Sequence, residues 1–177
     1  ELWNRGLAPS DALAGRVEPD GRFRLASVFP DTYGFRLENL PGKHYVASIR
    51  QGGQDVAVAG VRPGETPLEI ELERDGPVVT GRVTTGGERP GTVVGSTVLL
   101  VPEGEGRVAV AQSDQDGVYR FESAVAPGEY RIVAVEDAVE TDWVSKAVAG
   151  RWAERGTKVK LDRRQELNLD LVVVKSL

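Results

Sequence analysis

The sequence predicts an all-β protein built from two tandem β-sandwich domains. Glycine and proline, 21 and 10 of the 177 residues, punctuate the whole chain and separate short runs rich in Val, Leu, Ile and Tyr. About seven such runs fall in the second half, a typical number of strands for a small sandwich. A pattern of an Asp-Gly turn, alternating hydrophobic or aromatic residues and a proline turn also occurs once in each half.

The second half is the clearer copy of this pattern. Residues 114–117 predict a tight turn, because Asp tolerates turn geometry and Gly adopts positive φ without a steric clash. Period-two alternation places Tyr119 and Phe121 on one face of a strand, and it does the same for Tyr130 and Ile132 in the next. The predicted strands comprise residues 78–83, 97–101, 108–111, 118–121, 130–135, 157–161 and 167–174.

Residues 137–156 interrupt this series of strands. Alternation is weak there, and Val144, Val148 and Trp152 recur at the four-residue spacing of one helix face. Gly150 weakens the helical pattern, because glycine lowers helix stability. We therefore predict a long loop with one or two helical turns that lies across a sheet edge.

The first half is a less complete copy. Two strands that precede the turn strand in the second half have hardly any counterpart here, apart from residues 1–3. We therefore expect the first domain to be truncated at its N-terminus. Residues 75–77 form the predicted linker, which gives domains 1–75 and 76–177. The predicted strands of the first domain comprise residues 13–17, 22–25, 32–37, 45–50, 54–57 and 68–72.

Composition excludes several classes of function. The net charge is −5 and no basic block is present, which disfavours a nucleic-acid partner. No window approaches the ~20 apolar residues needed to span a bilayer, so we expect no direct membrane insertion. The absence of cysteine excludes disulfides and thiolate metal sites. The absence of methionine leads us to expect a processed chain or a piece of a longer protein.

The motifs of the second domain suggest a family. They are a Val-x-Gly-x-Val opening, an apolar strand, an Asp-x-Asp-Gly turn, two alternating aromatic residues and a Pro-Gly-x-Tyr turn, at residues 79–83, 97–101, 114–117, 119–121 and 127–130. This pattern resembles the carboxypeptidase regulatory-like domain family, whose fold is a transthyretin-like, or prealbumin-like, β-sandwich. The first domain keeps the Asp-Gly turn but has Asp31 where the family has glycine.

The resemblance implies Greek-key topology in both domains and a non-catalytic role. The expected role is that of a structural or interaction module in a larger secreted or envelope-associated bacterial protein. The implied location is extracytoplasmic: periplasmic, cell-surface or secreted. Related sandwiches include starch-binding-like modules, so carbohydrate binding through exposed aromatic residues is the alternative function. The expected partner is accordingly a protein or a polysaccharide.

No catalytic constellation is evident in the sequence. His44 is the single histidine, whereas hydrolytic zinc sites usually take two or three His ligands or Cys. A Ser-His-Asp triad would have to use His44, which lies beside residues 41–43 in a predicted loop and is interpreted as an exposed loop histidine. Glu69, Glu71 and Glu73 alternate with apolar residues and are interpreted as a solvated strand face. We therefore expect no catalytic residues, no metal ligands and no cofactor.

Two features of the sequence could be binding sites, and each also has a structural explanation. Asp114 and Asp116 could contribute oxygen ligands to calcium, but a turn stabilised by Asx hydrogen bonds explains them equally well. Trp143 and Trp152 are the candidate ligand-binding residues, because they lie in the irregular segment and sugars stack on exposed aromatic faces. The alternative is that both side chains anchor that segment to the sandwich.

Overall fold

The protein is an all-β protein, as predicted. A computed structural model describes residues 2–4, 15–35, 37, 39–57, 59–64, 66–104, 106–122, 125–136 and 146–175, except for the side chains of 2–4 and 146–148. Within these residues, strands dominate and one short helix, α1 (Lys146–Ala153), follows the tenth strand. The strands in chain order are β1 (Leu2–Asn4), β2 (Tyr33–Phe35), β3 (Tyr45–Gln51), β4 (Gln54–Asp55), β5 (Leu68–Glu73), β6 (Val78–Thr84), β7 (Thr97–Pro102), β8 (Ala109–Gln112), β9 (Val118–Phe121), β10 (Gly128–Val135), β11 (Thr157–Leu161), β12 (Glu166–Asn168) and β13 (Leu171–Val172).

The chain divides into two compact units. The first comprises residues 1–40 and 46–72, and the second comprises residues 41–45 and 73–177. The main division, between residues 72 and 73, thus falls three residues before the predicted domain boundary. In addition, residues 41–45 of the predicted first domain belong to the second unit. The assignment of each unit as a separate module of the resembled family stays a prediction.

The second unit is a sandwich of two β-sheets. The first sheet is antiparallel, with strand order β11-β10-β7-β8. In the second sheet, β6 pairs with antiparallel β9 on one side and with parallel β12 and β13 on the other. The facing sides of the two sheets bury a common apolar core. Its buried members are Val79, Val83, Val98, Leu100, Tyr119, Phe121, Val125, Tyr130, Ile132, Ala134, Leu161 and Leu171.

Strand β7 is buried along its whole length because both of its faces are covered. Val98 and Leu100 lie in the core between the sheets, whereas Leu99 and Val101 belong to a second apolar cluster that includes residues of α1. The helix packs on β7 and β10, two inner strands of the first sheet. The prediction that this segment lies across a sheet edge is therefore wrong for α1, and residues 137–145 of the segment lie outside the described residues. Apolar side chains on the outer face of the sheet require a cover from water, and α1 supplies it.

The predicted alternation in β9 and β10 is confirmed. Tyr119 and Phe121 both lie in the core, with ring centroids 6.0 Å apart in an edge-to-face arrangement. Tyr130 and Ile132 contribute to the same core from the other sheet. The alternating side chains of the motif in the second half therefore fill the interior of this sandwich.

The first unit has its own sheets and its own apolar cluster. β1 pairs with β2, and a three-stranded sheet of order β4-β3-β5 lies in this unit except for Tyr45 of β3 and Glu73 of β5. The β3–β4 hairpin turns at Gly52 and Gly53, with φ of 60° and 78°, as the paired glycines predict. In the described part of this unit, the first two predicted strands amount to a bridge between Val17 and Phe23. The buried members of the cluster are Tyr33, Phe35, Ile49 and Val61.

Candidate functional site

The two candidate ligand-binding tryptophans differ in what the structure describes. Trp152 lies on α1, is only 7% exposed and packs in a cluster with Leu99 and Val133. Trp143 lies outside the described residues. A sugar stacks on an open aromatic face, and Trp152 presents almost none. Ligand binding by this pair stays a prediction, and it depends on Trp143.

Asp114 closes the turn between β8 and β9. Its Oδ1 accepts hydrogen bonds from the backbone N–H groups of Asp116, at 2.9 Å, and Val118, at 2.8 Å. Gly117 has a φ of 71°, and a β-carbon there would lie 2.5 Å from the Thr92 Cγ2 atom. Turn geometry therefore accounts for the Asp and the Gly of the motif. Among the described residues, no three His, Cys, Asp or Glu side chains are grouped to hold a metal ion.

The copy of this turn in the first unit uses the same device. Asp20 Oδ1 accepts a 2.9 Å hydrogen bond from the backbone N–H of Arg22, and Gly21 has a φ of 82°. The Asp-Gly signature is therefore repeated because the turn is repeated.

His44 is held against its own turn. Its Nδ1 atom contacts the carbonyl oxygen of Pro41, and its backbone N–H donates to the same oxygen at 3.2 Å. The side chain is half-buried, so the interpretation as an exposed loop histidine is wrong in its exposure. These contacts give the histidine a local structural role.

Three segments of the second unit, residues 41–45, 73–76 and 162–166, are joined by a polar network that we call the junction cluster. Arg164 donates two hydrogen bonds to Asp75 Oδ2, from Nε at 3.1 Å and from Nη2 at 2.8 Å. The members of the cluster are Lys43, Tyr45, Glu73, Asp75, Arg163, Arg164 and Glu166.

Backbone and side-chain bonds reinforce this network. The backbone N–H of Arg164 donates to the Asp75 carbonyl oxygen at 2.9 Å. Lys43 Nζ lies 2.8 Å from Glu166 Oε1. Hydrogen bonding to Arg164 lowers the pKa of Asp75, and hydrogen bonding to Lys43 lowers the pKa of Glu166. Each of these carboxylates is therefore neutralised by a basic partner.

Glu73 belongs to this cluster and is not simply a solvated residue of β5. Its Oε2 accepts a 2.5 Å hydrogen bond from the Tyr45 hydroxyl and lies 3.3 Å from Arg163 Nη1. Burial, followed by the hydrogen bond to Glu73, raises the pKa of Tyr45. Glu71, two residues earlier, accepts a 3.1 Å hydrogen bond from the Ser48 hydroxyl. Glu69 and Glu71 are exposed, as the interpretation of a solvated face requires, whereas Glu73 is half-buried and has specific partners in the junction cluster.

The glycine of the Val-x-Gly-x-Val motif has a steric explanation. A β-carbon on Gly81 would lie 1.9 Å from the carbonyl oxygen of Leu169. The Tyr119 hydroxyl donates a 2.6 Å hydrogen bond to that same oxygen. Burial, with a smaller contribution from the charge of Asp170, raises the pKa of Tyr119 and keeps the donor protonated. A glycine inside a strand often marks such a close approach of another backbone, and this signal was available in the sequence.

The last strand runs parallel to β6 and is interrupted once. The sequence pattern predicts one strand over 167–174, whereas the structure has β12 and β13 with Leu169 and Asp170 between them. The Leu169 N–H donates to the Thr80 carbonyl at 2.8 Å, and Asp170 Oδ1 accepts from the Arg82 N–H at 2.9 Å. The Asp170 side chain thus supplies the acceptor at the interruption. We call β6, β12, β13 and the bonds between them the terminal ladder.

No helix in the described part of the chain is both long and apolar enough to cross a bilayer.

Comparisons with known proteins do not assign a family. No protein-family model matches the chain. No curated protein matches it either. Among solved structures, the chain is similar to a variant of BcpA, the major pilin subunit of Bacillus cereus, with 11% sequence identity and a TM-score of 0.31. The similarity covers 60% of this chain and 34% of the pilin chain, so this chain spans about a third of that protein's length. The resemblance to carboxypeptidase regulatory-like domains stays a prediction.

Proposed function

We propose that this chain provides non-catalytic β-sandwich modules with a structural or interaction role in a larger secreted or envelope-associated protein. One observation carries the proposal: three polar side chains that are capable of chemistry instead make hydrogen bonds that hold the fold. Asp114 closes a turn, Tyr119 binds a backbone carbonyl and Asp170 completes the terminal ladder.

The junction cluster supports the same role. Its acidic groups face basic partners, as in the pairs Asp75–Arg164 and Glu166–Lys43. A catalytic acid or base usually has a pKa tuned towards neutral pH, whereas the pKa values of these two carboxyls are lowered. The cluster is therefore suited to fixing three segments of chain and not to proton transfer near neutral pH.

A stability comparison tests the observation that carries the proposal. We expect Asp114→Ala to lower the free energy of unfolding by roughly 1–2 kcal/mol, because two turn N–H groups lose their acceptor. The matched control is Asp116→Ala, which removes a carboxylate from the same exposed turn and should change stability by less than about 0.5 kcal/mol. Equal effects of the two variants in urea denaturation would remove the support for a structural Asp114.

An activity screen tests the non-catalytic part of the proposal. The full chain is assayed against ester, peptide, phosphoester and glycoside substrates, with the His44→Ala variant in parallel. We expect no turnover above the uncatalysed rate. Turnover by the native chain that His44→Ala abolishes would overturn the proposal.

A further inference from the structure

β6, the first strand that lies wholly in the second unit, pairs in parallel with β13, the last described strand. β6 pairs with β12 and then with β13, so that Val78 lies opposite Glu166 and Thr84 lies opposite Val172. The chain therefore enters and leaves this sandwich along one shared ladder, with both strands pointing the same way.

Hydrogen bonds cross this ladder from one end to the other. The Val78 N–H donates to the Gln165 carbonyl at 2.8 Å, and the Val173 N–H donates to the Thr84 carbonyl at 2.8 Å. The Asp170 acceptor lies between these ends and prevents a gap in the middle. The hydrogen bonds of the ladder thus continue without a gap from Val78 to Thr84 of β6.

We propose that the terminal ladder is a shear clamp that gives the second unit a tension-bearing function. Pulling the start of β6 and the end of β13 apart drives two parallel strands past each other along their length. Because the bonds cross between the strands, that motion strains them together and not one after another. Forced unfolding is governed by the unfolding barrier, and the simultaneous loss of several bonds makes that barrier high. The inference deepens the proposed structural role, on which its biological meaning rests.

Steric interlocking adds to the resistance. The Leu169 carbonyl oxygen occupies the space that a β-carbon on Gly81 would fill. Val79 and Val83 are the next residues on the same buried face of β6, and each carries a branched β-carbon. Sliding the ladder by two residues in either direction would drive the Leu169 carbonyl against one of them. The contact therefore opposes displacement along the strands as well as across them.

Both ends of the ladder are tied to neighbouring elements. Before β6, Asp75 is bound by Arg164, which lies two residues before the start of β12. After β13, the Val174 N–H donates to the Ala134 carbonyl of β10 at 2.7 Å, and the Glu136 N–H donates to the Val174 carbonyl at 3.1 Å. Tension at either end is thus shared with the junction cluster or with the first sheet.

Optical-tweezers measurements on the full chain test the proposal. Because the sequence contains no cysteine, handles attach only where a cysteine is introduced. The exposed pair Leu72→Cys and Lys175→Cys applies shear to the ladder, whereas Arg89→Cys and Lys175→Cys peel it from the end where β6 finishes. We expect the shear pair to unfold at roughly twice the force of the peeling pair, or more, at the same loading rate. Equal forces in the two geometries overturn the clamp.

A matched pair of variants identifies the ladder as the source of the resistance. In the shear geometry, we expect Asp170→Ala to lower the unfolding force measurably, because the Arg82 N–H loses its acceptor. Asp116→Ala, which lies outside the ladder, should leave the force unchanged. An unchanged force in Asp170→Ala also overturns the proposal. Enzymatic turnover in the substrate screen would instead overturn the proposed function while leaving these forces as they are.

Discussion

Gly81 and Leu169 are in direct contact, since the Leu169 carbonyl oxygen lies 1.9 Å from the position that a β-carbon on residue 81 would take. Gly81→Ala must therefore displace a backbone segment and cannot be accommodated by rotating a side chain. We expect the variant to lose roughly 3 kcal/mol of unfolding free energy, the upper part of the usual range for overpacking. Urea denaturation followed by circular dichroism measures the change.

Gly91→Ala is the matched control for this substitution. A β-carbon on Gly91 would meet only Thr85, with the Oγ1 atom at 3.6 Å, which is ordinary van der Waals contact. We expect a change of less than about 1 kcal/mol. The steric explanation of the motif glycine is contradicted if Gly81→Ala is no more destabilising than Gly91→Ala.

Tyr119 should make stability decrease at alkaline pH. Burial raises its folded-state pKa above the ordinary value of 10.0, so the unfolded chain loses this proton first. Its contribution to stability is fully present below pH 10 and is lost as the pH rises towards the folded-state pKa. We expect Tyr119→Phe to weaken the alkaline decline and to cost about 1 kcal/mol at neutral pH, through loss of the hydrogen bond to Leu169.

Urea denaturation between about pH 9 and about pH 11.5 checks this prediction. Burial also raises the pKa of Tyr130, so the alkaline decline should be reduced and not abolished in the variant. Identical pH slopes for the native chain and Tyr119→Phe would show that Tyr119 titrates alike in both states.

Gly150 is the weak position in α1. It lies inside the helix, and a β-carbon there would meet nothing within 4 Å. We expect Gly150→Ala to raise the free energy of unfolding by about 1 kcal/mol, because alanine restricts the unfolded chain and favours the helix. Gly104→Ala is the control, since its β-carbon also meets nothing within 4 Å but lies outside the helix. A neutral or destabilising Gly150→Ala would argue against a stable α1 in solution.

Substitutions at Trp152 and Trp143 distinguish a role in the core from a role in ligand binding. Trp152→Ala removes a side chain that is 7% exposed, and we expect it to cost roughly 3 kcal/mol or more of stability.

Carbohydrate binding, the alternative function, is tested by titrating polysaccharides while following tryptophan fluorescence of the native chain and of Trp143→Ala. A response that Trp143→Ala abolishes would support the alternative. If no polysaccharide changes the fluorescence of the native chain, the titration counts against carbohydrate binding through the tryptophans.

Local features of the fold could be predicted from the sequence because their causes are local. The turn at Asp114 follows from one carboxylate and the N–H groups that follow it within four residues. The alternation of Tyr119 and Phe121 follows from the two-residue period of a strand. The continuous apolar run of β7 follows from the same period when both faces of the strand are buried. The sequence does not indicate which element covers the second face.

The remaining features depend on partners that are distant in the sequence. Asp75 and Arg164 are 89 residues apart, and neither residue type specifies its partner. The parallel pairing of β6 with β13, and the position of α1 on a sheet face, are likewise set by tertiary packing. The candidate site in Trp143 and Trp152 illustrates the same limit, because a tryptophan pattern does not distinguish a buried face from an open one.

The pairing of β6 with β12 and β13 also has a consequence for biosynthesis. β6 leaves the ribosome long before the two strands that complete its sheet, since every other strand of the sandwich is made between them. Until Leu171 arrives, one edge of β6 and part of the core beneath it lack their partner. A chain that stops short of β13 therefore exposes an apolar strand edge, the feature that promotes association between nascent chains. Folding of this unit can therefore be completed only after β13 has been synthesised, because β6 lacks that partner until then.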